Sequence, residues 1–297
     1  MIGELAALGA AISWAVAPIL YRKALSQTTP ISANIVRCVS NAAVLAVILV
    51  VIGGAGALAQ LPLEVLVIVS VSGVIGLGVG DTLYMYGLKS VGVSKAVPLA
   101  ATYPLFSLLW TALLGESVVL PAVFGALVIL LGIWLLSREK WDVNGAKAKS
   151  SVRGVAASLA TAVVWSVSVT LMGVAVTLSG TSSLDANFAM LAVRLAPLSF
   201  FLLAFSPLLD RTRGFLKMKR NTMLLLLIGG LVANGVGWLL MNISFLNTAE
   251  SQAIPISSTT PLFSALAGFA LFREKATVEN VLGAVAVVAG VSLIFII

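Results

Sequence analysis

Along the chain, apolar residues run in stretches of about twenty instead of alternating, and polar positions gather between the stretches. A hydrocarbon core of roughly 30 Å takes about 20 residues of helix, so each stretch has spanning length. The stretches fall at 5–21, 31–52, 62–88, 96–115, 118–137, 154–178, 186–209, 222–246, 253–272 and 277–297. They predict an all-α membrane protein of ten transmembrane helices with short polar connections. Barrel strands would alternate over about ten residues, and these runs do not. Glu4 precedes the first run while Arg22 and Lys23 follow it. A cleaved signal carries its charge first, so this span is expected to remain in the mature protein. The widest gap, Arg138 to Arg153, is charged, rich in small residues and nearly central.

On either side of that gap the sequence repeats itself. AVPLAATYPLFS at 96–107 overlies AIPISSTTPLFS at 253–264 with seven of twelve positions identical, an offset of 157. At the same offset Gly78-Val79-Gly80 overlies Gly235-Val236-Gly237, and Arg37 overlies Arg194. Near the start of each half, Gly3, Ala6 and Trp14 overlie Gly154, Ala157 and Trp165 at offset 151. The expected organisation is a first five-helix repeat at 1–140, a linker at 141–152 and a second repeat at 153–297. Five crossings are an odd number, so the second copy must start on the opposite side of the membrane, and parity makes the repeat inverted.

Charge agrees with that parity. Matching connections alternate in Lys and Arg content: Arg22 and Lys23 against none, none against Arg211, Arg213, Lys217, Lys219 and Arg220, Lys89 and Lys95 against none, none against Arg273 and Lys275. With the basic residues of the linker, sixteen of the eighteen Lys and Arg fall on one side, and the exceptions, Arg37 and Arg194, lie inside spans. Basic loops face the cytoplasm, so both termini are expected outside the cytoplasm, in a protein of the plasma membrane.

Composition removes most other functions. The chain is 60% hydrophobic and 10% charged, against about 25% charged for soluble domains. It has no histidine and a single cysteine, Cys38, which takes away the commonest base and the means for disulfides or cysteine-held metals. No cofactor or metal is expected. A net charge of +7 raises nucleic acid as a partner, but the basic residues punctuate apolar runs and form no patch with exposed aromatics, so none is expected. The expected partners are the lipid bilayer and a small-molecule substrate.

Each half has an early tryptophan in its first span, an arginine in its second, a Pro-x5-Pro fourth span and a glycine-rich fifth. LAATYPLFSLLWTALLGE with FGALVILLG, and ISSTTPLFSALAGFALFRE with LGAVAVVAG, carry the pattern most specifically. In these features the chain resembles the drug/metabolite transporter superfamily, EamA type, over nearly its whole length. The resemblance implies ten helices in two inverted repeats around a central cavity, and alternating-access export of a small polar metabolite such as an amino acid. Nucleotide sugars and cationic drugs are the alternative cargoes of the same superfamily.

Several residues are candidates for the transport chemistry. Pro98 and Pro104, and Pro255 and Pro261, each remove a backbone donor in mid-membrane, and matched helix breaks in two repeats point to a binding site. Thr102, Tyr103, Ser258 and Thr259 lie between them, either facing a solute or re-satisfying freed carbonyls. Arg194 lies too deep to reach water, as a fork for a carboxylate or phosphate or as a lock on a neighbouring helix. Arg37, nearer a span end, is expected to extend toward the basic side. Asp81 is the aspartate well inside a span, with Tyr84 one turn on; it suits proton coupling or pairing with a cation, and Trp238 stands at its place in the second half. Trp14 and Trp165 lie too deep for the interfacial aromatic belt and are read as cavity rings or as packing. Glu116 and Glu274 mark span ends.

Two rivals come from other classes. Gly78-Val79-Gly80-Asp81 fits the Gly-x-Gly-Asp pattern of an intramembrane aspartyl protease, but that chemistry needs two carboxylates sharing a proton, and no second deep aspartate exists. Broken helices are also compatible with a passive channel.

Overall fold

In the computed structural model the described residues are 1–115, 118–138, 152–180, 183–264, 266 and 278–295. The centre of the expected linker (139–151), Glu116, and the end of the ninth span with Arg273, Glu274 and Lys275 lie outside them. Among the described residues the regular structure is helical throughout. The main helices are α1 (Ile2–Leu25), α2 (Pro30–Val51), α3 (Leu63–Val91), α4 (Val93–Ala100), α5 (Tyr103–Leu113), α6 (Leu120–Arg138), α7 (Val152–Ser179), α8 (Leu184–Ala204), α9 (Arg220–Asn247), α10 (Glu250–Ser257) and α11 (Val278–Phe295). Seven helical spans are long and apolar enough to cross a bilayer: α1, α2, α3, the α4–α5 pair, α7, α8 and α9. The apolar stretches of α6 and α11 among the described residues are shorter.

Local chemistry sets the helix ends. Thr29 caps α2, its hydroxyl accepting from the Ser32 amide at 3.2 Å, and Pro30 fills the first turn where no amide partner is needed. Ser183 caps α8 in the same way, accepting from the Ala186 amide. Helix α3 stops at Gly92, whose φ of 79° turns the chain sharply into α4. Two interior stretches, Gly73–Gly80 of α3 and Leu231–Gly237 of α9, are π-helical. A π turn misaligns carbonyls with the amides above them and leaves them open to side chains. Here the Asn34 amide donates to the carbonyls of Leu77 and Gly78 at 2.8 and 3.2 Å, and the Trp14 indole donates to Ala233 at 3.1 Å.

Packing joins the two halves of the chain. Helix α1 lies along α9, α7 along α3, α2 along α8, and α6 along α11. The α6–α11 contact is close enough that a methyl on Gly132 would meet the Gly283 carbonyl oxygen at 2.7 Å, and a methyl on Gly290 the Gly125 carbonyl at the same distance. Trp165 covers Gly80, and Trp14 covers Gly237. The main buried cluster, with Leu45, Val69, Met172, Met190 and Met241, draws on α2, α3, α7, α8 and α9. Large apolar side chains such as Val50, Leu63, Phe200 and Leu282 point outward, as a lipid-facing surface requires.

At one end of the bundle polar groups tie the connections together. The Arg22 guanidinium donates to the Lys89 carbonyl at 3.0 Å, Lys89 to the Thr28 carbonyl at 2.7 Å, and Ser32 to the Asp210 carboxylate at 2.7 Å. Thr212 and the Phe215 amide also donate to Asp210. Burial pushes this carboxyl up, but the bonds from Ser32, Thr212 and the backbone amides of Phe215 and Gly214 outweigh it and hold it below its ordinary 3.8.

Candidate functional site

Between these helices lies a cavity with about 780 Å³ of atom-free space, its mouth included. Its walls come from α1, α2, α3, α7, α8 and α9 and from the two segments around residues 97–103 and 258–260. Trp14, Tyr84, Tyr103 and Trp165 face it with rings, Asp81 and Arg194 with charges, and Ser258 with a hydroxyl. Thr102 and Thr259 do not line it. Their hydroxyls turn back on their own chains, donating to the carbonyls of Leu99 at 2.7 Å and Ile256 at 2.8 Å. Ser258 does likewise to Pro255 while still bordering the cavity.

The breaks themselves fall between the prolines. Pro98 and Pro255 sit inside α4 and α10, and the helices stop at Ala101–Thr102 and Ser258–Thr259. Pro104 occupies the first turn of α5, where its missing amide costs nothing, and Pro261 lies in the short helical run at 260–264. The carbonyl that Pro261 deprives, that of Ser257, accepts from the Thr260 hydroxyl at 3.2 Å. None of the four lines the cavity; the lining proline is Pro18 of α1. The Tyr103 hydroxyl pairs with that of Ser257 at 2.7 Å, linking α5 to α10.

Arg37 corrects the expectation most sharply. It does not extend toward the basic end: only 2% exposed, it forms an ion pair with Asp81, Nη1 to Oδ2 at 2.5 Å. The short offset from the span end suggested an exit, but an inward carboxylate in a low-dielectric interior holds the guanidinium. Its Nη2 donates to the Asn34 side chain at 2.7 Å, and its guanidinium lies 5.6 Å from the Tyr21 ring centre. The other Asp81 oxygen accepts from the Trp165 indole at 2.8 Å. Sequence offered Asp81 a cation without naming it; of the two arginines in spans, Arg37 supplied it.

Arg194 is equally buried, 1% exposed, but differently served. Its Nη2 donates to Ser168 at 2.9 Å, and the guanidinium lies over the Trp238 ring, 3.4 Å from its centre. Among the described residues its Nε and Nη1 have no hydrogen-bond partner, nor does the amide nitrogen of Asn234, also on the cavity wall. All are donors. No carboxylate lies within ion-pair distance of Arg194 among the described residues. Ser168, Asn234, Tyr21 and Trp238 were not singled out from sequence, because polar and aromatic residues within a span give no sign of which helix face they occupy.

Comparison with known proteins is decisive at this point. The model of the EamA-like transporter family matches residues 1–138 and 152–296. The chain belongs to the EamA-like transporter family. It is a membrane transporter and not an enzyme. An uncharacterized transporter of Archaeoglobus fulgidus is 25% identical over 301 residues, covering 100% of this chain and 99% of the relative. A crystal structure of a protein 21% identical matches with a TM-score of 0.71, covering 98% of this chain and 95% of that one, so the fold is shared across nearly the full length.

Proposed function

We propose that this EamA-family protein is an alternating-access secondary transporter of the plasma membrane, exporting a small polar metabolite such as an amino acid through the central cavity. The observation that carries the reading is that matched residues of the two halves line the same cavity: Trp14 and Trp165, and Arg37 and Arg194. A site built on such a junction is what alternating exposure by rocking of two repeats requires.

Two inverted repeats, 1–140 and 153–297 around a linker at 141–152, are part of this proposal. Reciprocal contacts support them, since a two-fold relation demands that if one residue meets a second, their counterparts meet too. Gly80 faces Trp165 as Gly237 faces Trp14, and Gly73 meets Arg194 as Gly230 meets Arg37. Gly154 packs on Ser90, beside the Arg22–Lys89 end, whereas its counterpart Gly3 packs on Thr248 at the opposite end of α1. Both termini are proposed to lie outside the cytoplasm, with the Arg22, Lys89 and Arg211 connections inside.

In this reading Arg194 binds the solute's anionic group, Trp14, Tyr84, Tyr103 and Trp165 flank it, and Ser258 offers a hydroxyl. Thr102 and Thr259 keep the breaks intact by occupying open carbonyls. Asp81 is the proposed coupling group, since a proton on it would release Arg37 from a buried pair. Reconstituted in liposomes, the protein is expected to show saturable uptake and counterflow of a labelled solute; flux linear in concentration without counterflow would make it a channel. Unchanged pH dependence of transport in Asp81→Asn would remove Asp81 from coupling.

A further inference from the structure

The two buried arginines occupy matching positions, but the groups around them are not matched. Asp81 sits on Arg37, and the residue at its place in the second half is Trp238, which stacks on Arg194. Asn34, which accepts from Arg37, is matched by Leu191, and Leu77 by Asn234, whose amide nitrogen lacks a partner. Among the described residues, the side-chain acceptors that serve Arg37, from Asp81, Asn34 and Cys38, have no counterpart around Arg194, where Trp238, Leu191 and Leu195 stand instead, and donors without partners face the gap. Asp81 acts on Arg194 through space, but its two oxygens are taken by Arg37 and Trp165.

We infer that the carboxylate of the transported solute occupies on Arg194 the place that the Asp81 carboxylate occupies on Arg37, so that the cargo is an organic molecule with one carboxylate. The inference rests on the carrier reading above and names its substrate class. Charge balance selects a single negative group: among the described residues the charges on the cavity wall are Arg37, Asp81 and Arg194, a sum of +1. A phosphate dianion would overshoot that balance in a site lined mainly by apolar and aromatic side chains, where uncompensated charge is disfavoured. Among the described residues Nη1, the nitrogen that holds Asp81 on Arg37, has no partner on Arg194, nor does Nε, and either can donate a charge-assisted bond to a carboxylate oxygen. Trp238 holds that guanidinium in place by stacking while supplying no anion.

The test uses the full chain purified in detergent, with thermal unfolding as the readout and matched probes: acetate with acetamide, benzoate with benzamide, phenylalanine with phenylalaninamide, and inorganic phosphate. At least one carboxylate is expected to raise the unfolding temperature with its amide inert and phosphate weaker, and Arg194→Lys, which keeps the charge and loses the planar donor group, should weaken that binding at least tenfold. Trp238→Asp should occupy the free Arg194 donors from within, raising the unfolding temperature without ligand and abolishing the response to carboxylates. An amide as effective as its acid, preference for phosphate, no response to any carboxylate, or a Trp238→Asp variant that still binds carboxylate would each overturn the inference. Failure here is distinguishable from failure of the carrier reading. Counterflow of an uncharged solute with no carboxylate binding would leave a carrier with a different cargo, whereas carboxylate binding without counterflow would leave the site without the carrier.

Discussion

Arg37 and Arg194 illustrate how a single side chain's surroundings decide its role. Taking a charge out of water carries a large penalty, and a partner of opposite sign offsets it only when both remain. Arg37→Ala would strand the Asp81 carboxylate, and the expected loss of stability is about 3–5 kcal/mol, whereas Arg37→Met combined with Asp81→Leu should cost markedly less. Thermal unfolding of the three proteins in one detergent checks this; a double variant as damaged as the single would mean that the loss comes from removing the pair and not from a stranded carboxylate. Asp210 gives a second prediction at this scale. Its pKa is lower in the folded protein than in the unfolded chain, so its contribution is present above about pH 4 and is lost as pH falls through the depressed value. Asp210→Asn should flatten that part of the stability profile, and an unchanged acid limb would show that the Ser32–Asp210 contact is not coupled to unfolding.

Among the elements, the glycines of the fifth span of each half matter through closeness. Gly132→Leu would drive a side chain into the α11 backbone, which cannot give way, and overpacking of this kind costs about 1–3 kcal/mol. Gly235→Ala, where a methyl meets nothing within 4 Å, is expected to be neutral or stabilising. Comparing the two unfolding temperatures tests whether contact or backbone freedom governs; equal losses would argue for the latter. The helices of α1, α2, α7 and α8 were legible as apolar runs, with ends close to those expected. The π-helical stretches were not, because an extra residue in a turn leaves the apolar pattern almost unchanged, and the Gly-Val-Gly triplets at 78–80 and 235–237 were the sign available. The paired prolines were legible as a motif, but their place was misjudged: the interruption follows Pro98 and Pro255 because proline is accommodated within these short helices and the chain turns afterwards.

For the whole molecule, the proposed inversion makes a prediction that needs no substrate. In a Cys38→Ser background, Ser90→Cys should react with a membrane-impermeant thiol reagent from the cytoplasmic side and Thr248→Cys from the outside, though they fall at matched connections of the two halves. Reaction of both from one side would mean parallel repeats. Cys38 is fully buried, so the native thiol is not expected to interfere.

What the sequence determined by itself was the membrane, most of the spans and the transporter class, because apolar length and repeated motifs are properties of the chain read in order; the inverted duplication belongs to the proposal. It also pointed to Trp14, Trp165, Tyr84, Tyr103, Asp81 and Arg194, residues too deep and too polar or aromatic for a lipid-facing surface. What only the tertiary structure decided was the pairing: Arg37 with Asp81, Arg194 with Trp238 and Ser168, and the threonines with their own carbonyls. A hydropathy pattern records how much of a residue avoids water but not which neighbour it meets, and in a low-dielectric interior the neighbour determines whether a charge is spent on the fold or left free for a ligand.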